Sequence, residues 1–199
     1  MEALQECDSV ILAGGRARRM GGADKPGLEA GGATLLERVA AAAPGRVVVV
    51  GPPRERPHAV YVREDPPGSG PVPALRAGAA EVRAPWTAVL AGDMPFLRAE
   101  HVTALRAAAE GRHGAVMVDA EGREQWLLGV WRTDRLRAGL EAYPGASLRG
   151  LFAPSGSGCI RPFDYARVRT PEGAELAAFD CDTPEELARA RELLRDGTD

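Results

Sequence analysis

Val10-Ile11-Leu12-Ala13-Gly14-Gly15-Arg16-Ala17-Arg18-Arg19-Met20-Gly21-Gly22-Ala23-Asp24-Lys25 decides how this 199-residue chain is read. An apolar strand, Asp8 to Ala13, runs into paired glycines. Four cations follow, Arg16, Arg18, Arg19 and Lys25. Glycine has no Cβ, so the backbone can approach a ligand closely and turn its N–H groups toward it. Successive N–H groups in such a turn make an anion-binding concavity. With Asp24 subtracted the stretch carries a charge of +3, in a chain of formal net charge −3. That local attractor suits a nucleoside triphosphate. The loop is not a Walker A loop, because no Gly-Lys-Ser/Thr follows at the required spacing. It is not a dinucleotide fingerprint either, because it lacks Gly-x-Gly-x-x-Gly. A solvated basic loop with turn glycines is the plain alternative.

Working outward, strands and helices alternate. Pro26-Gly27 and Gly31-Gly32 suggest turns around a short hairpin. Thr34 and Glu37 have the spacing of a capping box, which predicts a helix over Leu35 to Ala42. Arg46 to Val50 is a β-branched run, as expected of a strand buried on both faces. Further strands are predicted at Ala59–Val62 and Trp86–Ala91, with helices at Ala74–Ala80 and Val102–Ala109. This alternation predicts an α/β chain whose central sheet is mostly parallel, with helices on both faces. Beyond it, strands at Gly114–Val118 and Gln125–Trp131 suggest a hairpin. Thr133–Tyr143 and Ser147–Phe152 read as helices. Thr183-Pro184-Glu185-Glu186 opens a terminal helix with a second capping box. With no repeat or long linker, residues 1–199 read as one domain. A nucleotide half covers about 1–97 and an acceptor half about 98–199.

The string Leu-Ala-Gly-Gly-x-x-x-Arg-Met-Gly-x-x-Lys resembles the opening motif of the sugar-nucleotide and cofactor nucleotidyltransferases. Within them it is most similar to the molybdenum cofactor guanylyltransferases, which join GMP to molybdopterin. Gly14-Gly15 and Asp24-Lys25 favour that branch over its cytidylyl relatives. The resemblance implies a three-layer Rossmann-like fold. It also implies nucleotide contacts from Leu12, Ala13, Gly14, Gly15, Arg19 and Lys25.

In doubly wound sheets ligands sit at the carboxyl ends of the strands, and three candidates fall there: Gly14-Gly15, Asp65 and Asp93. Gly92-Asp93-Met94-Pro95 looks like the family's Gly-Asp-x-Pro, whose Asp binds a metal ion. Mg²⁺ is a hard cation usually held by one or two carboxylates with phosphates and waters, and it is the implied cofactor. Read without the first loop, Asp93 is a turn residue before a proline. Asp65 can accept both N–H groups on the Watson–Crick edge of guanine, or serve only as a turn residue. Family members often carry an Asn after the second strand, where this chain has Gly51. Asp182 stands where the family's Asn-Thr-Pro-Glu motif has Asn, and a carboxylate there is a candidate second metal ligand. Trp126 and Trp131 are candidates to stack on a pterin, with a core role favoured for each.

These parts allow direct displacement at the α-phosphorus of GTP by the terminal phosphate of molybdopterin. Arg19, Lys25 and Asp93 are the catalytic candidates. A phosphate nucleophile is already ionised at neutral pH, so the reading needs no general base. His58, His101 and His113 form no triad or ligand pattern. The alternatives are a relative using CTP or a sugar or polyol phosphate acceptor, and a non-catalytic nucleotide-binding protein that hands over the cofactor.

A sequence pI near 5.7 argues against a general nucleic-acid binder. No apolar run reaches membrane-spanning length, and the acidic N-terminus lacks a signal-peptide core. Cys7, Cys159 and Cys181 have no metal spacing and read as reduced thiols. A cytoplasmic enzyme is expected, a monomer or weak oligomer, touching other cofactor-biosynthesis proteins only transiently.

Overall fold

Alternation along the strands separates two buried faces, and those faces explain the layers. The computed structural model describes residues 6–14, 24–152, 163–170 and 175–197. Successive side chains of a strand point to opposite faces. In β1 (Cys7–Leu12) Ile11 therefore joins one core and Val10 the other. The same split sends Val49 of β4 (Val47–Val50) one way, and Val48 and Val50 the other. In β6 (Trp86–Ala91) it separates Leu90 from Val89.

Helices close both faces. Leu36 and Val39 of α1 (Leu35–Ala42) and Val102 and Leu105 of α3 (Ala99–Ala108) pack into the Ile11 core. Val72 and Leu75 of α2 (Pro71–Glu81), Leu136 and Leu140 of α4 (Thr133–Ala142), and Phe152 of α5 (Leu148–Phe152) fill the Val10 core. A third cluster joins Leu35, Phe96 and Cys181 to Leu187 and Ala190 of α6 (Pro184–Arg195). Helices α2 and α4 cap one another. Arg76 donates to the Leu140 carbonyl at 2.7 Å, and Arg137 donates to the Ala79 and Val82 carbonyls at 2.7 Å each. Each guanidinium thus satisfies carbonyls that its partner helix leaves open at its C-terminus.

The seven-stranded sheet has the order β5-β4-β1-β6-β8-β7-β9. It includes β5 (Val60–Val62), β7 (Gly114–Val118), β8 (Glu124–Arg132) and β9 (Tyr165–Arg169). Strands β5, β4, β1 and β6 run parallel, β8 runs against both its neighbours, and β9 is parallel to β7. The mostly parallel α/β sheet and the β7–β8 hairpin therefore stand as expected. The hairpin register jumps between Val116 and Met117, whose partners are Gly129 and Gln125. A separate small hairpin pairs β2 (Glu29–Ala30) with β3 (Ala33–Thr34). Both predicted capping boxes form, Thr34 with Glu37 and Thr183 with Glu186.

Strand β9 was not expected from the sequence. Its residues Tyr165-Ala166-Arg167-Val168-Arg169 alternate small or apolar with charged side chains, and it lies at the sheet edge. Charged side chains are a common way to blunt an exposed edge, and they weaken the apolar signal of the strand. Trp131 is fully buried, stacked on Phe152 with ring centroids 4.1 Å apart, and Trp126 stacks on the same ring at 5.6 Å. Trp131 thus belongs to the core, Trp126 packs against it partly buried, and both rings stack on Phe152. His101 is buried near the start of α3, where its Nδ1 accepts the Arg98 N–H. Burial lowers its pKa. Cys7 and Cys181 are buried free thiols, pushed up to about 12 by burial. Cys159 lies outside the described residues.

Candidate active site

Four parallel strands end side by side, and the segments that leave them build one cleft. The Ala13 N–H donates to the Val50 carbonyl at 2.9 Å, the Gly51 N–H to Val62 at 2.9 Å, and the Gly92 N–H to Leu12 at 3.0 Å. These bonds lock the ends of β1, β4, β5 and β6 together. A cavity of about 320 Å³ is lined by Ala13, Gly14, Lys25, Gly51 and Glu64. Beside it a cavity of about 510 Å³ is lined by Leu12, Gly14, Glu64, Asp93 and Leu127. Gly14, Glu64 and Gly68 line both.

Lys25 sits at the centre of the charges. It opens a 3₁₀ turn, Lys25–Gly27, with Pro26 fixing the backbone behind it. Its ammonium pairs with Asp93 Oδ2 and, at 2.5 Å, with Asp182 Oδ1. The Asp93–Asp182 approach is built by the backbone: the Cys181 N–H donates to the Asp93 carbonyl at 3.2 Å. Burial of Cys181 and the capped start of α6 then hold the segment against the end of β6. Burial pushes the Lys25 ammonium toward a lower pKa, but the two carboxylates outweigh it and hold its pKa above the ordinary lysine value. Asp180 is a third carboxyl nearby. Burial raises its pKa, Asp182 and Asp93 add to the rise, and Lys25 opposes it. Lys25 is also the only lysine in the sequence.

The donor set suits a hard divalent cation. Asp93 Oδ1 is buried with no hydrogen-bond partner among the described residues, while Oδ2 holds the ammonium. An orphaned carboxylate oxygen in a polar cleft needs a compensating partner. Among the described residues no three His, Cys, Asp or Glu side chains form a metal cluster by themselves. Asp93 and Asp182 could supply part of a coordination shell of the kind that substrate phosphates complete.

The chain belongs to the MobA-like NTP transferase domain family.

The family model matches residues 9–158. A probable molybdenum cofactor guanylyltransferase of Natronomonas pharaonis is 32% identical, over 96% of this chain and 100% of its own length. A protein of the same name from Mycobacterium avium is 36% identical, over 92% of this chain and 95% of its own. The crystal structure of molybdopterin-guanine dinucleotide biosynthesis protein A from Archaeoglobus fulgidus superposes with a TM-score of 0.68 at 21% identity. That match covers 94% of this chain and 98% of that one, and it shows a shared fold.

Within this family member, Leu12, Ala13, Gly14, Lys25 and Asp93 all line the cleft. Gly15 and Arg19 lie outside the described residues, as do Arg16 and Arg18. Asp182 reaches the cleft through Lys25. Asp65 is exposed, and its neighbour Glu64 lines both cavities, with Oε1 accepting the Gly68 N–H at 2.7 Å. Sequence reasoning passed over Glu64 because the two adjacent carboxylates differ only in which way the strand end turns. Gly51 has a packing cause: a Cβ there would lie 2.9 Å from the Ala13 carbonyl oxygen. A side chain at that position would push the first loop away from β4. Of Gln125-Trp126-Leu127, Leu127 lines the larger cavity beside Asp93, while the Gln125 amide donates to Asp119.

Proposed function

We propose that this protein transfers GMP from GTP to the terminal phosphate of molybdopterin, releasing pyrophosphate. The observation that carries the reading is the Asp93–Lys25–Asp182 cluster at the carboxyl ends of parallel strands, in a chain of this family. The names of its relatives supply the substrates.

Asp93 and Asp182 would hold Mg²⁺, which neutralises charge on the triphosphate. The chain's own groups do the rest. The Gly14 backbone and Lys25 bind and orient the triphosphate, and Arg19 meets the leaving pyrophosphate. A lysine suits its place because a compact ammonium on a flexible stem can pass between carboxylate and phosphate partners. An oxygen of the acceptor phosphate forms a bond to the α-phosphorus of GTP. The bond from that phosphorus to the oxygen bridging to the β-phosphate breaks, and pyrophosphate leaves with the electron pair. The nucleophile is ionised at neutral pH, so positioning and charge neutralisation supply the catalysis. Guanine selection falls to Asp65 and Glu64, whose carboxylates can accept from the N–H groups of the base. The protein would act in the cytoplasm.

Binding to the native state raises stability with the logarithm of occupancy. With Mg²⁺ present, GTP is expected to raise the melting temperature more than CTP, UTP or ATP. A larger shift with CTP would move the protein to a cytidylyl branch of the same chemistry.

A further inference from the structure

The segment that carries Lys25 is fixed on a second side, 30 residues away in sequence. Arg54, in the segment leaving β4, grips Asp24 with both terminal nitrogens. NH1 meets Oδ2 at 2.5 Å and NH2 meets Oδ1. This is the two-bond fork in which a planar guanidinium fixes the direction as well as the position of a carboxylate. The pair is asymmetric: Arg54 is 18% exposed and Asp24 60%. The buried partner is thus the one rooted beside the sheet, and the exposed one belongs to the turn being held. Asp24 is the residue before Lys25, and its carbonyl accepts the Gly27 N–H at 3.0 Å, closing the turn. Gly27 leaves the fork its room. A Cβ there would lie 2.3 Å from Asp24 Oδ2 and 2.8 Å from Arg54 NH1. The fork also holds the Asp24 carboxyl below its usual pKa.

We infer that Arg54 is a positioning residue for nucleotide binding, acting through Asp24 to hold Lys25 where the triphosphate meets it. Lys25 needs such a brace. Its carboxylate partners hold only the end of a flexible stem, and a phosphate must draw that end away without the backbone following. Arg54 and Asp24 fix the backbone while leaving the ammonium mobile. The inference rests on the reading of Lys25 as a triphosphate ligand.

The test combines affinity with a direct probe of Lys25. Because the chain has one lysine, protein grown with isotopically labelled lysine gives one side-chain NMR signal. Arg54→Met is expected to melt as the wild type does, to bind GTP about tenfold more weakly, and to shift the Lys25 signal. Arg54→Lys should recover only part of the affinity, since an ammonium makes a single point contact where the guanidinium makes two. Asp24→Asn should weaken GTP by a similar factor, and Asp24→Asn with Arg54→Met should be no worse than either alone. Wild-type GTP affinity in Arg54→Met would overturn the inference, as would losses that multiply in the double variant. The underlying reading fails separately: if Lys25→Ala leaves GTP affinity unchanged, Lys25 does not bind the triphosphate, and the brace falls with it.

Discussion

The two ends of the sheet are built from different materials. On the β5-β4-β1-β6 side the inward residues are mostly valine, leucine and alanine, the strands run parallel, and their carboxyl ends converge on the cleft. On the β8-β7-β9 side Trp131, Trp126, Phe152, Phe163 and Tyr165 lock into one ring cluster. The parallel side presents backbone and charge to a ligand, because strands running the same way bring their loops to one edge. The aromatic side spends its chemistry on burial, and large rings fix it rigidly. Activity and stability should therefore separate along the sheet.

The strongest blow to that division comes from the aromatic side. Phe152→Ala is expected to cost about 3–5 kcal/mol of stability, with the order of nucleotide preference unchanged. Denaturant unfolding measures the first and thermal shift with four nucleotides the second. A change of preferred nucleotide would show that the aromatic cluster shapes the cleft. Asp93→Asn is the converse. Turnover should fall about a hundredfold or more, while unfolding stays close to wild type. Retained turnover would remove Asp93 as the metal-holding carboxylate.

Next in size is the titration of Lys25. A raised lysine pKa means that its stabilising contribution is full below the unfolded value of 10.5 and is lost as pH rises through the higher folded value. The single lysine signal should therefore titrate above the ordinary lysine range. In Asp93→Asn it should titrate lower, because burial then acts against fewer opposing charges. The smallest expected effect is Thr183→Ala, about 1 kcal/mol from loss of the cap on α6. It should weaken GTP binding only if that cap also sets Asp182, so measuring both decides whether α6 belongs to the stable side or the working side.

Much of the working side was legible in the sequence, because local rules govern it. The end of β1 at Ala13-Gly14, the two capping boxes and the strand that leads to Asp93 are each contained within a few residues. What stayed hidden depends on distant partners. Lys25 and Asp182 are 157 residues apart, and nothing local to either says that they meet. The Asp24–Arg54 fork crosses 30 residues. Asp180 carries no motif, and its raised pKa arises only from burial beside two other carboxylates. Strand β9 was lost because an edge strand advertises charge rather than apolar alternation. The tryptophans were readable as packing residues from their chemistry, but the ring on which both stack, Phe152, was not.

Nucleotide transfer and mere nucleotide binding by this cleft separate on one product, pyrophosphate. The most direct measurement is pyrophosphate release by the wild-type protein with GTP, Mg²⁺ and molybdopterin, with each component omitted in turn. Release is expected to require GTP and molybdopterin together, with GMP joined to the acceptor in equal amount. GTP bound tightly with no pyrophosphate released in the complete mixture would contradict it, and would point to a protein that carries nucleotide or cofactor without chemistry.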